Sequence, residues 1–229
     1  VKYDIVYMVK NTTDNEELIY SLRSVERNFP HNKVWFAGGC PIGIKPDERL
    51  NFIQVGENKW QKVGNMIARV CKCEEITADF WLFNDDFFVM NPVEDVPPYY
   101  HGTLEELIER VERNSGGASP YTDRLRDTIK LLEERGLETK NYEEHIPMLF
   151  NRKKLLDMYK AGIRGAGRSL YGNLYKIGGV ERQDVKIFSK DKKPASNADF
   201  LSTTDVSFSS GKVGEVIRST FTEKSRFEK

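Results

Sequence analysis

The sequence predicts an α/β fold, on three observations. Residues 3 to 9 alternate and are rich in β-branched and aromatic side chains, the pattern of a strand. A helix-spaced stretch follows, with Leu18, Leu22 and Val25 on one face. Further along, four large apolar residues, Phe80-Trp81-Leu82-Phe83, run straight into Asn84-Asp85-Asp86. Strands and helices in alternation mark an α/β domain.

Each element has its own local reason. The first strand ends at the turn-forming cluster Asn11-Thr12-Thr13-Asp14-Asn15. Thr13 or Asp14 is expected to cap the following helix, Glu16 and Glu17 suit its first turn, and Phe29-Pro30 stops it. Lys33 to Ala37 reads as a short strand running into Gly38-Gly39, and Asn51 to Val55 as another. Val63, Met66, Ile67, Val70 and Ile76 predict a helix over 62–76, ahead of the Phe80 strand. Helices are also expected at 103–113, at 119–135 before Gly136, at 152–161 and at 213–221. Residues 162–179 read as glycine-interrupted loop with a short helix inside it.

At 229 residues the chain fits one large domain, or one domain with an appended subdomain. Its 39% hydrophobic and 31% charged composition is that of a soluble globular protein, and no apolar run is long enough to span a bilayer. The apolar start has no basic leader before it, from which a cytoplasmic address is expected. Cys40, Cys71 and Cys73 form no CxxC pair, so reduced thiols are expected rather than a disulfide framework or a zinc site. Net charge is zero, yet residues 151–194 hold twelve lysines and arginines against four acids. That stretch is either a solvated surface or a seat for a polyanion, with Tyr171 and Tyr175 placed among Arg168 and Lys176 to stack on bases.

The carboxylate pair carries the chemistry. At the end of a buried strand, Asp85 and Asp86 repel each other unless a cation neutralises them or one takes up a proton. Carboxylate oxygens favour Mg2+ or Mn2+, which keep positions open for phosphate oxygens. The bland alternative is a pair that caps the next element or bonds a lysine.

Three segments, Asp4-Ile5-Val6-Tyr7, Tyr20-Ser21-Leu22-Arg23-Ser24-Val25-Glu26 and Phe83-Asn84-Asp85-Asp86-Phe87-Phe88, resemble in order the first two conserved blocks of the Stealth sugar-phosphate transferases. Glu144-His145-Ile146-Pro147 is similar to their third block, so the resemblance covers roughly residues 3–150. Met8-Val9 stands where that family has a tryptophan-valine pair, and the chain is far shorter. In its length and in its tail, Phe200-Leu201-Ser202-Thr203-Thr204-Asp205 and Ser207-Phe208, it looks more like small glycosyltransferase-like proteins of bacteriophages.

The resemblance implies a GT-A nucleotide-sugar fold in one domain: a central mixed sheet flanked by helices, with a helical, loop-rich C-terminal portion. Residues 1–100 would form the nucleotide-sugar half and 101–229 the acceptor half. It further implies a glycosyltransferase with a UDP-sugar donor and Mn2+ or Mg2+ held by Asp85, Asp86 and His145. Tyr7, Val9 and Lys10 become candidates for the nucleoside pocket, Arg23 for the diphosphate, and Asn65 and Arg69, with Asp85, for the donor. Glu144 and Asp184 are candidates for the base that activates an acceptor hydroxyl. The phage likeness suggests hydroxymethylated pyrimidines of DNA as acceptor, reached through the 151–194 stretch. A sugar-1-phosphate transferase acting on a polysaccharide and a noncatalytic nucleic-acid-binding protein are the rival readings.

Overall fold

The alternating run at the N-terminus becomes β1 (Asp4–Val9), but it is buried on both faces, with Ile5, Val6, Tyr7 and Val9 inaccessible. It is therefore an inner strand, and both its edges are paired. In this computed structural model, which describes residues 2–53 and 55–229, the chain divides into two compact units. The first comprises Val1–Val96, His145–Leu156 and Val185–Lys229, and the second Pro97–Glu144 and Asp157–Asp184.

In the first unit α1 (Glu16–Asn28) follows β1, capped by Asn15, whose side-chain oxygen accepts from the Leu18 amide at 3.0 Å. The cap falls beyond the expected Thr13 or Asp14: Asn15, in extended conformation directly before the first turn, supplies the oxygen. Next come β2 (Val34–Gly38) and β3 (Glu48–Leu50). The strand expected over Asn51–Val55 is displaced: β3 lies upstream, and Ile53 and Val55 are 84% and 54% exposed. Backbone pairing of Glu48–Leu50 with Trp35–Ala37 chose the register there, not apolarity. Gln54 of that expected strand lies outside the described residues.

α2 (Lys59–Val70), capped by Asn58, starts and stops earlier than its apolar spacing suggests, and Ile76 packs from the turn beyond it. Then come β4 (Asp79–Phe83) and β5 (Phe87–Val89). The second unit contributes β6 (Tyr99–Tyr100), α3 (Leu104–Ser115) and α4 (Pro120–Glu133). β7 (Met148–Asn151) belongs to the first unit and leads into α5 (Arg152–Lys160). α6 (Gly167–Leu174) and β8 (Val180–Glu181) complete the second unit. β9 (Lys186–Ile187), β10 (Phe200–Thr203), α7 (Asp205–Ser210) and α8 (Lys212–Thr220) complete the first.

The architecture is a mixed α/β one, a central mixed sheet flanked by helices. The sheet has the order β3-β2-β1-β4-β7, parallel except for β7, which runs antiparallel to β4. A smaller sheet, β5-β10-β9, packs Phe88, Ile187 and Leu201 with Phe208, Val213, Ile217 and Phe221 of α7, α8 and the turn that follows. The Phe88 and Phe208 rings stack there at 5.7 Å. In the second unit β6 and β8 pair in parallel, and α3 packs on α4.

Asp4 anchors the base of the main sheet. Although inaccessible, its carboxylate accepts from Asn32 Nδ2 at 2.7 Å, Trp35 Nε1 at 2.9 Å, and the Lys33 and Thr77 amides at 3.1 Å each. A buried acid is tolerable only when so thoroughly satisfied.

Candidate functional site

From β1 the sheet grows one way through β2 and β3 and the other way through β4 and β7. The change of direction falls between β1 and β4, and in open α/β sheets ligands bind in the crevice outside the carboxyl ends of strands at such a point. Lys10 follows β1 there, and Asn84-Asp85-Asp86 follows β4.

Both acids are held. Asn15 caps α1 with its oxygen and donates from its amide nitrogen to Asp85 Oδ2 at 2.6 Å. Asp86 Oδ2 accepts from Lys186 Nζ at 2.8 Å and Ser202 Oγ at 3.1 Å. Lys186 and Ser202 are register partners across β9 and β10, so one pair of residues brings both donors to one oxygen. The bland possibility, a lysine bonded to the acidic pair, is thus present at Asp86.

A third carboxylate joins them from α1. Glu17 accepts from Thr203 Oγ1 at 2.7 Å. Burial pushes its carboxyl up to about 7 against that hydrogen bond, and the charges of Asp86, Asp85 and Asp205 add to the rise. Asp85 is also raised, by burial and then by Asp86, with the Asn15 hydrogen bond and Lys10 opposing. Glu17, Asn15, Lys186, Ser202, Thr203 and Asp205 were not singled out by the sequence as site residues. The legible signal was the helix start directly after β1, whose first turn must face the carboxyl edge of the sheet.

Hard carboxylate oxygens suit Mg2+ or Mn2+, which bind through one or two carboxylates plus substrate phosphates. Asp85 and Asp86 meet that description. They do not form an all-protein cage: among the described residues no three His, Cys, Asp or Glu side chains converge to hold an ion. His145 lies three residues before Met148, the β7 partner of Leu82, so its segment enters the sheet from the edge where β4 ends.

The remaining candidates have other occupations. Tyr7 is inaccessible, its hydroxyl bonded to Ser21 Oγ at 2.8 Å and its phenol pushed well up by burial; Val9 is equally buried. Neither offers a face to a nucleoside, because a strand paired on both edges between packed layers has no open side. Arg23 donates to both Glu228 oxygens at 2.8 and 2.6 Å and to the Phe221 carbonyl at 2.9 Å, tying the C-terminal tail to α1. Exposed Asn65 donates to the Val55 carbonyl at 2.9 Å, and the Arg69 guanidinium lies over the Phe52 ring.

In the second unit Glu144 is 4% exposed and is pushed up to about 8, by burial first and then by the charge of Asp184, with Arg110, Arg168 and Arg182 opposing. The two base candidates are thus electrostatic neighbours. Of the basic stretch, Arg152 donates to the Cys73 carbonyl and Lys186 to Asp86, while Lys153, Lys154, Lys160, Arg164, Lys176, Lys190, Lys192 and Lys193 are exposed. Tyr171 is 3% exposed, its ring against Tyr175 at 4.9 Å, so the stacking face expected of it is covered.

Two clefts of about 500 and 340 Å3 lie elsewhere, the first around Arg27, Pro30 and His31, the second around Cys71, Asn151 and Arg152. Neither is lined by Asp85 or Asp86.

No protein-family model matches the sequence, and no curated protein does. Among solved structures the chain is similar to the apo-form glycosyltransferase GlyE of Streptococcus pneumoniae TIGR4, with 13% identity and a TM-score of 0.36. The match covers 80% of this chain and 45% of that one, so the chain spans less than half of that protein's length. No helix among the described residues is long and apolar enough to cross a membrane.

Proposed function

We propose that this protein is a GT-A-type glycosyltransferase that takes a sugar from a nucleotide-sugar, a UDP-sugar, and places it on a hydroxyl acceptor. The observation that carries the reading is the adjacent pair Asp85-Asp86 at the carboxyl end of β4, beside the end of β1, where the strand order reverses. A bound Mn2+ or Mg2+ would neutralise charge developing on the leaving diphosphate. Asp85 and Asp86 would hold it, with the diphosphate supplying the further oxygens.

Lys10 and Lys186 supply positive charge at the same edge, which favours a departing phosphate. Asn15 fixes the Asp85 carboxylate while capping α1, so the site is built on rigid elements. Glu144, pushed up to about 8 by burial and then by Asp184, is the candidate for the base that activates the acceptor hydroxyl, and it would act as a base only once ionised, toward alkaline pH. For the acceptor we propose hydroxymethylated pyrimidine in DNA, supported by the exposed lysines between 153 and 193.

The deciding experiment incubates the protein with UDP-sugars and Mn2+, with hydroxymethyl-pyrimidine DNA or plain DNA, and reads nucleotide release and nucleoside mass. Asp86→Ala is the control. UDP release with a hexose added to the modified base supports the proposal. Release of UMP replaces it with sugar-phosphate transfer, and absence of any divalent-dependent UDP binding removes the donor site altogether.

A further inference from the structure

The Asp86 carboxylate already holds a cation belonging to the chain. Lys186 Nζ lies 2.8 Å from Asp86 Oδ2, and both side chains are only 15% exposed, so water screens the pair little. The lysine reaches this position because β9 is paired with β10 in the register Ser202↔Lys186, and the Ser202 hydroxyl bonds the same oxygen. Asp85 and Glu17 share the field of Asp86, and Lys10 acts on Asp85 as a further base. Acids outnumber bases, an arrangement that repels a diphosphate arriving without its own cation.

We propose that Lys186 is an internal counter-ion that a divalent cation must displace from Asp86, so that the cation and a nucleoside diphosphate bind together rather than singly. This rests on the donor site proposed above. In the nucleotide-free protein, a divalent ion gains Asp86 Oδ2 only by breaking the ion pair with the ammonium. When a diphosphate is present, its oxygens offer the displaced ammonium a replacement for that carboxylate. Lysine suits the exchange, being a compact charge on a flexible four-carbon stem, whereas the Ser202 hydroxyl can stay on Asp86 throughout. Linkage makes the effect reciprocal: whatever factor UDP adds to cation affinity, the cation adds to UDP affinity.

The test measures Mn2+ binding by the electron paramagnetic resonance of the free ion, with and without UDP, in wild type, Lys186→Met and Lys186→Arg. Thermal unfolding verifies that each variant is folded. Wild type is expected to bind Mn2+ about tenfold more tightly when UDP is present. Lys186→Met is expected to bind Mn2+ alone about tenfold more tightly than wild type, and to lose most of the enhancement by UDP. Lys186→Arg, which keeps the charge, should stay close to wild type.

A Lys186→Met protein that binds Mn2+ no more tightly than wild type overturns the proposal. Should that variant not fold, a wild type whose Mn2+ affinity is indifferent to UDP, while UDP itself binds, overturns it equally. Tighter Mn2+ binding by Lys186→Met with no UDP bound by any form supports the lysine's competition with the cation and overturns the donor reading. Absence of Mn2+ binding in every form overturns both.

Discussion

Thr203 donates its hydroxyl to the Glu17 carboxylate at 2.7 Å, joining the first turn of α1 to the end of β10 across 186 positions of sequence. The bond closes one side of the acidic edge and leaves Glu17 sharing the field of Asp86, Asp85 and Asp205.

That field has a consequence for stability. Glu17 is raised from 4.5 to about 7, so the folded protein holds this proton more tightly than the unfolded chain does. Its contribution is therefore fully present below about 4.5 and is lost as the pH rises through 7. Glu17→Gln should flatten the fall in unfolding midpoint across that window and be more stable than wild type at alkaline pH. A variant profile parallel to the wild-type profile would contradict the assignment.

The buried Asp4 carboxylate accepts from four donors in two stretches of chain, residues 32–35 and Thr77. Asp4→Ala is expected to cost about 3 kcal/mol, since it leaves the buried Trp35 indole N–H without an acceptor and removes three further hydrogen bonds. Denaturant unfolding measures this, and a loss below about 1 kcal/mol would show that water or neighbouring groups replace the carboxylate.

Arg23 separates a structural from a ligand role. With both Glu228 oxygens and the Phe221 carbonyl as partners, it should act as a strut for the tail. Arg23→Ala is expected to lower stability by about 2–3 kcal/mol while the folded protein keeps its UDP affinity. Isothermal titration with UDP decides: a large affinity loss at intact fold would return Arg23 to the diphosphate, as the sequence resemblance implied.

Gly39 matters for its lack of a side chain. Its amide donates to the Val9 carbonyl, and a Cβ placed on it would collide with the Lys10 carbonyl. Gly39→Ala should shift the Lys10 loop, destabilise the fold by about 1–3 kcal/mol, and weaken UDP binding together with it. Unchanged unfolding and UDP titrations would mean that the loop accommodates the methyl group freely.

Asp85→Asn and Asp86→Asn test the chemistry with near-constant shape. If the pair holds the cation on the donor, each should lower transfer by about 100-fold or more at saturating donor. Circular dichroism spectra should be unchanged, and rates near wild type would leave the pair a structural role only.

The consecutive residues of this chain determined a good deal. Period-2 and helix-like spacing placed β1, α1, β2, β4 and most later helices, because periodicity is a property of neighbours in sequence. The apolar run ending in Asp85-Asp86 likewise marked the candidate functional edge of the sheet. The three-to-four-residue strands β5, β7 and β10 were not legible, since each exists through a partner strand far away and is too short to display a period. Tertiary structure alone decided which charges meet. Asp86 found Lys186 100 positions away and Ser202 at 116, and Arg23 found Glu228 at 205. It also made Tyr7 and Val9 core residues, by pairing β1 on both edges. Strand order and register set these outcomes, and neither is written in any local stretch of sequence, because a long-range partner is chosen by the packing of the whole sheet.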